Sequence, residues 1–276
     1  MDTVVENPTE QSGGLKLDHL SWSSIQTYRT CPRKFFYKYV ARAPEESVAA
    51  ALIHGGAIHR AVERAHEARM QGNAIPNVDS LLDAYDEGWG DGVRGRTAIQ
   101  YSQGEDAATL RELAGRMLLA YRRHMESEGA AQTIGVEHAV RFRLLSDAPP
   151  IEARLDLVEL RGTDLIVTDV KTSRSRWSDD KAREQLPQLV FYAFAAVAIM
   201  RELGATRLVP RFVVVTKGKT PVVQVVEPKA SSEDASRAKQ LLADCWQTMR
   251  SSSAFVRHEG WQCKQCQFRV RCLGSR

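Results

Sequence analysis

The chain has 276 residues, 43% of them hydrophobic and 26% charged, with 38 Lys and Arg against 34 Asp and Glu. This composition builds an ordinary buried core and excludes wholesale disorder and a disulfide-stapled miniprotein; the longest apolar run, Leu189–Met200, falls short of the roughly 18 residues a membrane span needs. The polar start (Met1, Asp2, Glu6, Glu10) has no basic n-region or apolar h-region, so a cytoplasmic protein is expected, and a net charge of +4 permits a nucleic-acid partner without showing one.

Residues 1–17, rich in Glu, Thr, Ser and Gly, read as a disordered tail. Ser21 is placed to cap a helix from Trp22, and a second helical piece follows Pro32. Helical patterns run over Ile53–Met70, Val78–Trp89 and Asp106–Ser127, broken at Gly72–Pro76 and at Gly88, Gly90, Gly92 and Gly95. From Val136 to Leu144 apolar and polar residues alternate with strand period, and Ile151–Leu160 and Leu165–Lys171 are two more strands. Lys181–Leu203 is a long helix with Pro187 near its start. Leu208–Thr216 and Val222–Glu227 are Val-rich strands, and Ser231–Met249 is a helix with Glu233 and Asp234 in its first turn. The order implies an α/β fold with a helical N-terminal portion.

The segment 151–171 carries the most chemistry. Gly162-Thr163 suits a two-residue hairpin turn, which pairs Arg161 with Asp164; counting outward places Asp156 opposite Asp169, with Lys171 on the same face. Opposed residues hold their Cβ atoms about 4.5–5.5 Å apart, so two carboxylates there repel unless a cation joins them. A Mg²⁺ ion, content with one or two carboxylates plus water and phosphate, fits so sparse a site. The competing reading is an exposed strand face with charges that happen to align. Gln188 and Tyr192 share a face of the following helix, and His59 follows a glycine pair in His-Gly-Gly-Ala-Ile-His-Arg.

Five cysteines are present, and three crowd near the C-terminus as Cys263-x2-Cys266-x5-Cys272 among polar and basic residues. An odd count without an export signal argues against a disulfide framework. Cys245, beside Trp246, reads as core. The trio reads as part of a metal or cluster site, one ligand short of a tetrahedral set, with Cys31 as the natural fourth.

Together these residues resemble the RecB-type nucleases of the PD-(D/E)XK family, especially the iron–sulfur members found as CRISPR adaptation nucleases, phage exonucleases and AddAB-type nuclease domains. The resemblance rests on Gly55-x3-His59, Glu137, Arg154-Leu155-Asp156, Asp169-Val170-Lys171, Gln188-Leu189-x2-Tyr192, the four cysteines, and the opening Ser-Trp-Ser-Ser-Ile-Gln-Thr-Tyr-Arg-Thr-Cys. Leu155 stands in place of the family's proline and Ala153 where many relatives have glycine; neither is a ligand position. No G-x4-G-K-[ST] is present, so the chain is not itself a motor.

The resemblance implies a single nuclease domain over 18–276. Its core would be restriction-endonuclease-like, a mixed sheet flanked by helices, with a helical insertion at about 66–130 and an Fe–S clamp joining Cys31 to 263–272. It implies that His59, Asp156, Asp169 and the Val170 carbonyl hold Mg²⁺ or Mn²⁺, and that Lys171 orients or activates the attacking water. Gln188 and Tyr192 would position Lys171 or the scissile phosphate, and Glu137 would be an outer participant. Cys31, Cys263, Cys266 and Cys272 would hold a [4Fe–4S] cluster, which spacing alone does not separate from zinc. The substrate would be DNA, single-stranded or with free ends, cut in recombination, repair or CRISPR adaptation beside the proteins of those pathways. Some relatives form rings and others stay monomeric, which leaves a homo-oligomer open.

Arg33, Lys34 and Lys38, interleaved with Tyr28, Phe35, Phe36, Tyr37 and Tyr39, and Arg174 and Arg176 in the loop after the active strand, are candidate nucleic-acid contacts; the bland reading makes the aromatics core under a solvated basic face. Two other functions compete. A non-catalytic DNA-binding scaffold with an inactive nuclease fold would be expected to lose the acidic pair or the lysine, and both are kept; a zinc-ribbon module would explain the cysteines but not the hairpin.

Overall fold

A computed structural model describes residues 15–96 and 98–274. Of the expected disordered tail, residues 1–14 lie outside the described residues, whereas Leu15 and Leu17 pack against the core. Ser21 caps α1 (Trp22–Thr30) through a reciprocal bond with Ser24. Cys31 ends α1 and opens the short α2 (Pro32–Phe35), which continues as one π-helical stretch over Phe36–Val40. A short strand β1 (Ser47–Ala49) leads into α3 (Ala50–Met70) and pairs in parallel with β2 (Ala98–Gln100). That two-stranded pair carries no strand-length pattern and was not expected.

Between them runs α4 (Val78–Val93). It runs on through Gly88, Gly90 and Gly92, where a break was expected, and ends before Gly95; α3 lies hard against Gly88 and Gly92. A Cβ on Gly88 would sit 2.9 Å from Arg60 Cβ, and one on Gly92 would sit 2.6 Å from Ile53 Cγ2, so these glycines permit close helix packing. The capped α5 (Ala107–Ser127) completes this helical layer.

The central sheet has the order β3 (Gln132–Phe142), β4 (Ile151–Arg161), β5 (Asp164–Ser173), β6 (Arg207–Thr216), β7 (Val223–Val226). Only β5 and β6 are parallel, joined by the helix α6 (Asp179–Glu202). A parallel pair needs such a crossover and is covered on both faces. On one face Val170, Val213 and Val215 pack against α3, α4 and α5; on the other Leu165, Val167, Phe212 and Val214 pack against α6. A third cluster joins α1, α6 and α7 (Ser232–Ser251), and includes Cys245 beside Trp246, as the core reading of that cysteine expected. The chain then closes with a 3₁₀ turn (Trp261–Gln265) and α8 (Arg269–Leu273).

Charge is also buried in this core. Arg211 of β6 donates to Glu128 at 2.7 and 3.0 Å, to Glu159 at 3.3 Å and to Thr168 at 2.8 Å, which ties the end of α5 to the sheet and supplies the paired partners buried ions require. The architecture is a mixed α/β sheet between helical layers, in the restriction-endonuclease-like manner expected. Among the described residues no helix is long and apolar enough to cross a membrane.

Candidate active site

The hairpin register is the expected one. Gly162 takes a positive φ of 60° in the two-residue turn, and the ladder runs from Arg161↔Asp164 to Leu157↔Thr168. It stops one pair short of Asp156 and Asp169. There the strands part, and Asp156 Oδ2 accepts the Val170 N–H at 2.8 Å, where a main-chain carbonyl would otherwise stand. The site is built in that opening, with α3 on one side and α6 on the other.

From α3, His59 brings Nδ1 to 3.4 Å from Asp156 Oδ2. From β3, Glu137 completes a group in which one ligand atom each from His59, Glu137 and Asp156 lies within 4.8 Å of the others. Glu137 holds a φ of 47°, a left-handed conformation that costs a non-glycine residue on the order of 1 kcal/mol or more. Its side chain thus stands beside His59 and Asp156.

Asp169, 1% exposed, stands on the α6 side. Its Oδ1 accepts from Gln188 Nε2 at 2.9 Å, and Lys171 Nζ lies 2.6 Å from Oδ2. That oxygen lacks a well-directed hydrogen-bond donor despite the contact. Gln188 also donates to Tyr192 Oη at 3.2 Å. The structure thus unites Lys171, Asp169, Gln188 and Tyr192 in one chain of contacts, joined in sequence through Val170 to the His59–Glu137–Asp156 group, whose Asp156 accepts the Val170 N–H.

Electrostatics point the same way. Burial, and then the charge of Asp169, push the Asp156 carboxyl up to about 8. Burial and then Asp156 raise Glu137, while burial lowers His59. Burial and the nearby carboxylates also raise the Tyr192 phenol. Few positive charges among the described residues serve these acids, and a divalent cation suits this donor set. The strained Glu137, the undirected Asp169 oxygen and the hard N/O donors all fit such an ion.

The four cysteines also meet. Cys31, Cys263, Cys266 and Cys272, all free thiols, line one pocket of about 360 Å³ with Arg33, Lys34, Tyr37 and Phe268. The His258 N–H points to Cys31 Sγ at 3.5 Å. The expected nucleic-acid residues divide. Arg33 donates to the Phe255 carbonyl at 2.7 Å and Lys38 pairs with Glu45 at 3.6 Å. Phe35 and Tyr37 are buried, and Tyr28 with them, so these rings are core and cannot stack on bases. Arg174 and Arg176 are exposed after β5.

Sequence reasoning missed Lys217, just past β6, which lines a cleft with His59 and Glu137. Its only signal was a Lys-Gly-Lys run after a Val-rich strand, and nothing in that run reveals that β6 lies beside β5.

A mixed sheet whose split antiparallel pair holds an acidic, metal-ready group next to Asp-x-Lys defines a nuclease site. The sequence matches the PD-(D/E)XK nuclease superfamily over residues 19–273, and the chain belongs to that family: it is a nuclease, a hydrolase of nucleic acid whose family uses divalent metals. A crystal structure from Eubacterium rectale, titled as a candidate exonuclease, superposes with a TM-score of 0.55 at 12% identity, over 89% of this chain and 86% of that one. A structure of SSO0001 aligns over 95% and 90% at 14% identity, with a TM-score of 0.39. No curated protein sequence matches the chain.

Proposed function

We propose that the protein is a divalent-metal-dependent DNA exonuclease that prefers single strands or free ends and serves recombination, repair or CRISPR adaptation. The observation that carries the metal-dependent chemistry is the His59–Glu137–Asp156 group beside Asp169 and Lys171. The preference for ends and the pathway rest on the family resemblance and on the Eubacterium rectale neighbour. A divalent ion in this group would act as a Lewis acid and lower the pKa of a bound water. His59, Glu137 and Asp156 would hold it, with Asp169 beside them as a further carboxylate. Lys171 would orient the attacking water and offset the charge gathering on the phosphorus oxygens, while Gln188 fixes the carboxylate from behind and Tyr192 fixes Gln188.

Manganese-soaked crystals should show an anomalous peak between His59, Glu137 and Asp156, and chelation should abolish cleavage. Glu137→Gly should relieve the left-handed strain and raise the melting temperature of the metal-free protein, yet weaken Mn²⁺ binding; unchanged affinity would remove Glu137 from the ligand set.

We also propose that the four cysteines hold a [4Fe–4S] cluster that clamps the C-terminal tail to the N-terminal helices. Four thiolates serve zinc and iron–sulfur clusters alike, so the choice of a cluster rests on the family resemblance. A brown preparation rich in iron is expected, and Cys272→Ala should lose the colour and lower the melting temperature. A colourless, zinc-loaded protein would overturn the cluster, and an unchanged melting temperature would overturn the clamp.

A further inference from the structure

On the α3 side of the active site lies an open cleft of about 1290 Å³ whose lining includes Gly55, Gly56, His59, Glu137, Thr172 and Lys217. Two members of the metal-ready group, His59 and Glu137, thus share this cleft with Lys217. The Lys217 N–H bonds the Ser173 carbonyl at 2.7 Å, which sets its side chain just beyond the paired ends of β5 and β6.

The charges lining this cleft are almost all committed. Arg60 pairs with Glu63 at 2.8 Å, Asp91 with Arg94 at 2.9 Å, Glu137 with Arg154 at 3.9 Å and His59 with Asp156 at 3.4 Å. Lys217 is the exception: half-buried, it has no ion-pair partner among the described residues. Burial lowers its pKa, Glu105 acts on it only at a distance, and Arg174 repels it. An ammonium withdrawn from water without a close counter-ion costs stability, and among the described residues no carboxylate pairs with it directly.

The floor of the cleft is bare. Leu52, Gly56, His59 and Glu63 fall on one face of α3, and Leu52 is 61% exposed. A Cβ added at Gly56 would meet nothing within 4 Å. Packing therefore does not demand glycine here, although glycine inside a helix is unfavourable. Unlike Gly88 and Gly92, which admit a neighbouring helix, Gly56 keeps a surface open.

We propose that this cleft seats the nucleic-acid strand next to the cut, with Lys217 gripping one of its backbone phosphodiesters and the Leu52–Gly56 face of α3 carrying the sugar-base side. The proposal rests on the nuclease reading and adds the route by which the strand reaches the metal group. It also names a contact outside the sequence motifs. An anion at Lys217 supplies the missing counter-charge, and a strand is an anion long enough to touch Lys217 and the metal group together.

The test is binding of end-labelled single-stranded DNA by the full chain, in a Lys171→Ala background so that bound DNA survives, across a salt series. Lys217→Gln should weaken binding several-fold and make the slope of log K against log salt shallower by about 0.7, the value for one phosphate contact on a single strand. Lys217→Arg should restore the slope. Gly56→Leu, which fills open space, should weaken binding without lowering the melting temperature. The loss from Lys217→Gln should be equal on 5′-hydroxyl and 5′-phosphate oligonucleotides. An unchanged slope and affinity in Lys217→Gln would overturn the proposal. So would a loss confined to 5′-phosphate ends, which would make Lys217 a terminal-phosphate receptor. Failure of the unsubstituted protein to bind or cut any DNA would strike the nuclease reading instead.

Discussion

Lys171→Ala should still bind DNA but cut it about 10³-fold more slowly, a loss typical of a positioned group that handles charge or a proton in the transition state. The reason lies in how few cations the site owns. Lys171 Nζ is 2.6 Å from an Asp169 oxygen that has no directed donor, and among the described residues it is the lysine paired with Asp169. Removing it takes away the group proposed to face the attacked phosphate and leaves Asp169, 1% exposed, without the ammonium it contacts. The metal-free variant should therefore also melt lower than the parent. Mg²⁺ or Mn²⁺ should recover more of that loss than it adds to the parent, because binding to the folded state alone stabilises it.

Lys171→Arg should not restore cleavage, since a planar guanidinium is a poor substitute for a compact ammonium in so tight a contact. The assay is end-labelled single- and double-stranded DNA with each metal, read beside melting curves. Full activity in Lys171→Ala would end the assignment. An inactive parent that binds DNA would favour a scaffold with an idle nuclease fold.

A second large effect is expected on acidification. His54 and His66, 0% and 3% exposed, lie on α3 within the helical layer. Nδ1 of His54 meets Tyr85 Oη at 2.9 Å and Nε2 of His66 meets Tyr121 Oη at 2.8 Å. Burial, then the Lys217 charge, lowers His54 from 6.5 to about 4; burial, then Arg69, lowers His66 to about 3. Above pH 6.5 both states hold these rings neutral and nothing is lost. As pH falls below 6.5 the unfolded chain takes up protons that the folded chain refuses, so stability declines down to pH 4 for His54 and pH 3 for His66. A shift from 6.5 to 4 corresponds to about 3 kcal/mol, a large part of a typical domain's stability.

Asp156 opposes this trend in the metal-free protein. With its carboxyl pushed up to about 8, the folded state gains protons, and so stability, as pH falls from 8 toward the ordinary carboxylate range. The histidine contribution is therefore read as a difference. His54→Asn with His66→Gln keeps a polar atom near each tyrosine hydroxyl without a titrating ring, and should flatten the loss of stability between pH 6.5 and 4 in urea unfolding. An unaltered pH profile would show that neither ring governs acid unfolding.

Much of the site could be read from the sequence because its geometry is local. Gly162-Thr163 fixes a two-residue turn, the turn fixes the register, and the register brings Asp156 and Asp169 to the mouth of the hairpin. The spacing of Gln188 and Tyr192 likewise fixes one face of α6. What escaped depends on contacts between elements far apart in sequence. The ladder ends before the two aspartates because the Asp156 side chain takes the Val170 amide, a choice no period-two pattern encodes. Gly88 and Gly92 looked like breakers until α3 was seen to press on them. Lys217 acquires meaning only because β6 lies parallel to β5. The rings around Lys34 and Lys38 suggested a stacking surface, but Phe35 and Tyr37 face inward.

The pocket shared by Cys31 and the three late cysteines also dictates an order of events during synthesis. Cys31 leaves the ribosome when almost the whole catalytic sheet has yet to be made, and Cys272 follows only after every strand is complete. A group that needs all four sulfurs can be inserted only once Cys272 has been made, into a chain whose sheet has already had time to form. Were the proposed cluster loaded there, a chain clipped before Cys272 would keep its nuclease residues but lack that fastening, and its loose ends would be open to proteases.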